Sequence, residues 1–278
     1  VDPDRPPHPF ALNLDVVAHE VGHLLVYSLV GLPPSSNYGE YAGFQEAAAD
    51  LVALLVAAQL PTVVNEVLKR TRGNLYVANE LNRLGELSSN SQIRQASNSA
   101  RLSEFALGWS DEHDLSEPLT GALFDLLVDM YQHELVERQL IPASLDRLVR
   151  EVGHLRPFAP RVQAEFDRWY PVDPQGFRRA LTAACDRLGT YMAHALTRLR
   201  SDRLTYVAVQ KVLTDVDRAL GGGLFGQEIA DNFAWRDIGR VDVGPYLGLA
   251  GGAPSALELG VHRCAKRDLV PRQGNSRD

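Results

Sequence analysis

The segment VVAHEVGHLLVYS, residues 16–28, holds three titratable side chains in an apolar run: His19, Glu20 and His23. Residues four apart share a helical face, so His19 and His23 stand one turn apart on the same side. Two imidazoles so placed can bind one tetrahedral zinc ion. Glu20 is rotated from His19 by roughly 100°. It can reach a water on the metal without displacing it. Two ligands and a general base make the HExxH pattern of a metal-dependent hydrolase.

A second segment, GFQEAAADLVALL at residues 43–55, carries Glu46 and Asp50, again four apart. Glu46 would complete a His2Glu ligand set and leave a fourth position open for water, as a catalytic zinc site requires. Asp50 lies between an alanine run and LVALLVAA. An unpaired carboxylate is costly to bury there. The second ring N–H of a zinc-binding histidine would give it a partner, fixing the tautomer and raising the ligand's basicity. The simpler alternative, a solvated face of an amphipathic helix, fits that apolar enclosure less well.

The elements that must position these groups are helices. They are expected near 11–30, 43–59, 61–70, 76–86, 117–139, 144–152, 160–170, 175–199, 204–219 and 225–235. Breaks rich in Pro, Gly, Ser and Asn separate them at 31–40, 71–74, 88–99, 108–116 and 220–224. Period-two alternation is scarce, so a mainly α fold with little or no sheet is expected. Residues 1–10 read as a linker or cut end, 11–261 as one helical domain and 262–278 as a polar, basic, disordered tail.

Composition narrows the classes of function. The chain has 278 residues, 45% hydrophobic and 23% charged, with a net charge of −7. This describes a globular protein with no electrostatic footprint for nucleic acid or an anionic membrane. The longest apolar runs fall short of a membrane span. The two cysteines, Cys185 and Cys264, lack metal-type spacing. Either a disulfide or two free thiols is compatible with the sequence. His8, His133, His154, His194 and His262 lie in contexts that favour structural or exposed roles.

HEVGH followed by EAAAD resembles the thermolysin-like gluzincin metallopeptidases, whose pattern is HExxH, a loop, then ExxxD on a second helix. The resemblance implies His19, His23 and Glu46 as zinc ligands, Glu20 as base and Asp50 behind a ligand. IRQASNSA, residues 93–100, is similar to the family segment whose arginine binds the substrate carbonyl, here Arg94. DEHDLSEPLTGALFDLL, residues 111–127, resembles the segment with the family's oxyanion histidine, here His113, with Asp111, or as the lesser alternative Glu112, to orient it. The family's oxyanion tyrosine corresponds to Tyr38, with Tyr41 as the other residue of that loop.

Three departures stand out. The stretch 131–175 is longer than in the family. No acidic cluster matches its calcium site, so no calcium is expected. Residues 1–18, ahead of the first motif, hold no edge strand for extended substrate, so the segment is expected either to be cut from a longer protein or to build its cleft differently. The expected activity is zinc-dependent endopeptidase hydrolysis of a peptide or protein substrate. The alternative is a zinc-stabilised helical binding module, a former peptidase that holds a partner. Oligomeric state, compartment and cleavage preference are left open by the sequence; the resemblance is compatible with secretion.

Overall fold

The computed structural model describes residues 14–33, 39–77, 79, 81, 83–84, 94–151 and 158–247. Tyr38, Cys264, the expected linker and the expected tail lie outside them, as do His8, His154 and His262. The fold is mainly α. Its helices are α1 (Leu14–Leu29), α2 (Gly39–Ala57), α3 (Pro61–Thr71), α4 (Glu112–Glu137), α5 (Ala143–Glu151), α6 (Ala159–Trp169), α7 (Pro174–Leu196), α8 (Tyr206–Gly221) and α9 (Gly226–Trp235). Two short strands, β1 (Arg83–Leu84) and β2 (Arg94–Gln95), pair antiparallel, Arg83 opposite Gln95 and Leu84 opposite Arg94. Among the described residues no single helix is long and apolar enough to cross a membrane.

Helix α4 is the spine. It is buried along most of its length and packs against α2, α7 and α9, while α1 packs on α2. The α1–α2 approach is close because the facing residues are small. A Cβ on Gly22 would fall 2.6 Å from the Ala49 Cα, inside van der Waals contact. Ala47, Ala48 and Ala49 are all buried. This close contact places the motif side chains of both helices in one layer.

Helix α1 is not buried all round, as its apolar sequence suggests. Ala18, His19, Gly22 and Val26 are buried, but Val17, Val21, Leu24 and Leu29 on the opposite face are 40–63% exposed.

Three expected elements differ, the first being α2, which starts at Gly39 rather than 43. The helix expected at 76–86 is absent from the described part of that stretch, which holds turns and β1. Asparagines take the backbone groups a helix would use. Asn74 Oδ1 accepts from the Tyr76 N–H, Asn79 Oδ1 accepts from the Leu81 N–H, and Asn79 Nδ2 donates to the Val77 carbonyl. The loop expected at 108–116 ends early, because α4 starts at Glu112 rather than 117. Asp111 caps it by accepting from the His113 N–H at 2.8 Å. The buried Pro118 lies inside the helix. His113 therefore stands on the first turn of a rigid helix rather than in an exposed loop.

Candidate metal centre

Three imidazoles from α1 and α4 converge on Glu46 of α2. His19 Nε2 lies 3.3 Å from Glu46 Oε2, His23 Nε2 lies 3.5 Å from Glu46 Oε1, and His113 Nδ1 lies 2.8 Å from Glu46 Oε2. The His19 and His23 rings meet edge to face, centroids 4.6 Å apart. Behind them His19 Nδ1 lies 2.8 Å from Asp50 Oδ1, and Asp50 is only 1% exposed. His19, His23 and Glu46 each offer a ligand atom within 4.8 Å of the others, a set that could hold a metal ion.

The proton inventory favours a cation. A carboxylate only accepts, so the His19–Asp50 contact places the His19 proton on Nδ1. In the neutral ring Nε2 then carries a lone pair, and it faces the Glu46 carboxylate. Glu46 Oε2 is buried and has close nitrogen neighbours, yet makes no aligned hydrogen bond. Lone pairs facing one another across 3.3 Å are stable only with a positive charge between them, a proton or a metal. The spacing suits zinc. Tetrahedral ligands about 2.0–2.1 Å from the ion stand roughly 3.3–3.4 Å apart.

Electrostatics agree. Burial works to raise the Glu46 pKa. Contact with His113 and His19, and the charges of His113 and His23, outweigh it and hold the carboxyl well below its ordinary range. Glu46 is thus ionised beside protonated imidazoles, whose positive charge a metal ion would have to replace.

The other predicted residues fall into three groups. Glu20 is exposed on α1, outside the buried layer that holds the ligand pair. Asp111 reaches His113 through its main chain, as a helix cap, and so sets the start of α4. Tyr41, read as a loop residue, belongs to the first turn of α2; it is buried and its hydroxyl donates to the Gly31 carbonyl at 2.7 Å. That role is packing. Of Arg94, the described feature is its place in β2, opposite Leu84. The chain matches no family model, no curated protein and no solved structure. The functional reading therefore rests on the motifs and on this geometry.

Two neighbours escaped the sequence reading. Tyr27 stands one turn beyond His23 on α1 and lies near-parallel to its ring, centroids 6.4 Å apart. Gln45 Nε2 donates to the Tyr27 hydroxyl at 2.7 Å, linking the two motif helices. The signal for Tyr27 was its i+4 spacing from His23. Cys185 is buried, which pushes its thiol up to about 12 and leaves it inert near neutral pH.

Proposed function

We propose that this chain is a zinc-dependent endopeptidase, with His19, His23 and Glu46 as the ligands. The observation that carries the reading is the pair of nitrogen–oxygen separations around Glu46, 3.3 and 3.5 Å, with Asp50 behind His19. Bound zinc would supply a Lewis acid for the scissile carbonyl and lower the pKa of water toward neutrality.

The chain's own residues do the rest. Asp50 keeps the His19 proton on Nδ1, so that Nε2 is free to ligate. Glu20 accepts a proton from the attacking water and passes it to the leaving amine. Its exposure gives it access to solvent and substrate while its backbone is fixed beside His19. His113 donates to the charge that develops on the carbonyl oxygen. Arg94, from β2, holds a neighbouring substrate carbonyl, and Tyr38 assists the oxyanion as the family resemblance implies. Of these roles, the one for Glu20 separates an enzyme from a metal-binding protein most directly. Glu20→Gln should retain about one zinc per chain and lose hydrolysis of a mixed peptide library by about 10²–10⁴-fold. Undiminished cleavage by this variant, with chelator as the control, would refute the assignment.

One observation favours a second reading. His113 Nδ1 stands 2.8 Å from Glu46, hydrogen-bond distance and shorter than the spacing of two zinc ligands, so a small shift of its ring would bring it into the set. If His113 took the fourth position the centre would be closed, as structural zinc sites are, and the chain would be a zinc-stabilised helical binding module. His113→Ala decides between them. The peptidase keeps its zinc and loses on the order of a hundredfold in turnover. The module loses zinc affinity.

A further inference from the structure

A second buried polar cluster ties β2 to the helix that carries His113. Arg236, just past the end of α9, is 1% exposed. Its Nη1 donates to Asn98 Oδ1 at 2.9 Å and to the Ala100 carbonyl at 3.1 Å. Its Nη2 donates to the Asn98 carbonyl at 2.9 Å and to Asp125 Oδ2 at 3.0 Å. Asp125 and Gly121 are on α4. A Cβ at Gly121 would lie 2.3 Å from the Arg236 Cζ, so glycine there leaves the space the guanidinium fills.

Asn98 relays this hold in two directions. Its Nδ2 donates to the Gln95 carbonyl at 3.2 Å and to the Glu117 carbonyl at 2.9 Å. Gln95 follows Arg94 in β2, and Glu117 is one turn after His113 on α4. Asn98 Oδ1 also accepts from the Ala100 N–H at 3.1 Å. Two donors and two acceptors are thus engaged on one amide. Among the described residues, the strand pairing of this segment is limited to the two residues opposite β1. A strand pair that short is marginal alone.

The geometry points to Asn98 and Arg236 as positioning residues: a latch that fixes the Arg94 segment in register with His113, without touching the metal ligands. Its role in substrate binding rests on the peptidase reading. Arg236 supplies the anchor and Asn98 the directed bonds. A substrate spanning the site would need Arg94 and His113 at a fixed separation, since misplacement by about 1 Å costs on the order of a hundredfold in rate.

Asn98→Asp is the informative variant. It keeps the acceptor that Arg236 and Ala100 use, and replaces only the donor that holds Gln95 and Glu117. The expected result is at least about tenfold faster hydrogen exchange over residues 95–100, with exchange in α1 and α2 and zinc content unchanged. Peptide hydrolysis should fall about tenfold, through KM rather than kcat. In an Arg94→Ala background Asn98→Asp should add less than about twofold, because both act through one contact. Gly121→Ala, which displaces the guanidinium, should show the same pattern more strongly. Unchanged exchange over 95–100, or a full additive loss on top of Arg94→Ala, would overturn the latch. A wild-type protein that cleaves nothing, with exchange responding as stated, would defeat the peptidase reading and leave the latch supported.

Discussion

The molecule buries two polar clusters of opposite character. Around Arg236, both terminal nitrogens of the guanidinium make two bonds each and Asn98 has every amide donor and acceptor engaged, while the buried Arg236 Nε makes no hydrogen bond. Around Glu46, contacts are equally short, but Oε2 has no aligned hydrogen bond. Burial is comparable, with Glu46 at 6% and Arg236 at 1%. Burial alone therefore says nothing about role. A cluster whose groups largely satisfy one another is close to finished, and its worth lies in holding elements together. A cluster whose nitrogens and oxygens converge on one point is unfinished on the proposed reading, and two imidazoles with a carboxylate form a set that could hold a metal ion.

Breaking the unfinished cluster should have the larger effect on composition. Glu46→Ala removes the acceptor on which three imidazoles converge. Zinc should fall from about one per chain to near zero by atomic absorption, since two histidines alone leave half the tetrahedral set. Zinc retained at full stoichiometry would move the centre elsewhere. Breaking the finished cluster should cost stability and leave zinc unchanged. Asp125→Ala leaves the buried Arg236 without its carboxylate, and loss of one partner of a buried pair typically costs about 3–5 kcal/mol. The check is the midpoint of denaturant unfolding alongside zinc content. A variant that lost zinc as readily as stability would show the clusters to be one unit.

Asp50→Asn sharpens the contrast inside the metal centre. The amide keeps the shape of the side chain and can still accept from His19 Nδ1, but it lacks the charge that raises the basicity of Nε2. Zinc affinity should weaken by roughly 10–100-fold, measured by competition with a chelating dye, while stoichiometry at saturation stays near one. An unchanged affinity would mean that Asp50 is buried for packing reasons.

The unfinished cluster was legible in the sequence and the finished one was not. His19, His23, Glu46 and Asp50 were readable because i,i+4 spacing is local, and a helix converts spacing into a shared face. Their helices were long and apolar, and the pattern named both within a few residues. Arg236 bonds to residues 111, 136 and 138 positions away. Several of these contacts go to backbone atoms in an irregular segment, and no spacing rule reaches them. The 76–86 stretch failed for a related reason. Its apolar residues suit a helix, but side-chain bonds from Asn74 and Asn79 to nearby backbone groups compete with the helical ladder. The start of α4 failed because 108–116 read as a break, whereas Asp111 supplies the cap one and a half turns earlier. The exposure of half of α1 was also beyond reach, because apolar sequence does not say which faces are covered.

The smallest expected effect concerns Glu117, which stands between the two clusters. Burial raises its pKa to about 7, and the nearby charges of Asp114, Glu104 and Asp50 add to this while Arg236 opposes it. The folded protein therefore binds a proton at Glu117 more tightly than the unfolded chain, whose carboxyl titrates near 4.5. The stabilisation is fully present below the unfolded value and is lost as pH rises through about 7, because ionisation then has to occur in a buried, acidic surrounding. Glu117→Gln is neutral at every pH and keeps the carbonyl to which Asn98 donates. Its melting temperature relative to wild type should therefore rise as pH is taken from about 5 to about 8. Zinc content should not change, because Glu117 is not one of the ligands. Parallel melting curves for the two proteins across that range would mean that the acidic neighbours are screened by solvent, and that the two clusters do not communicate through this carboxyl group.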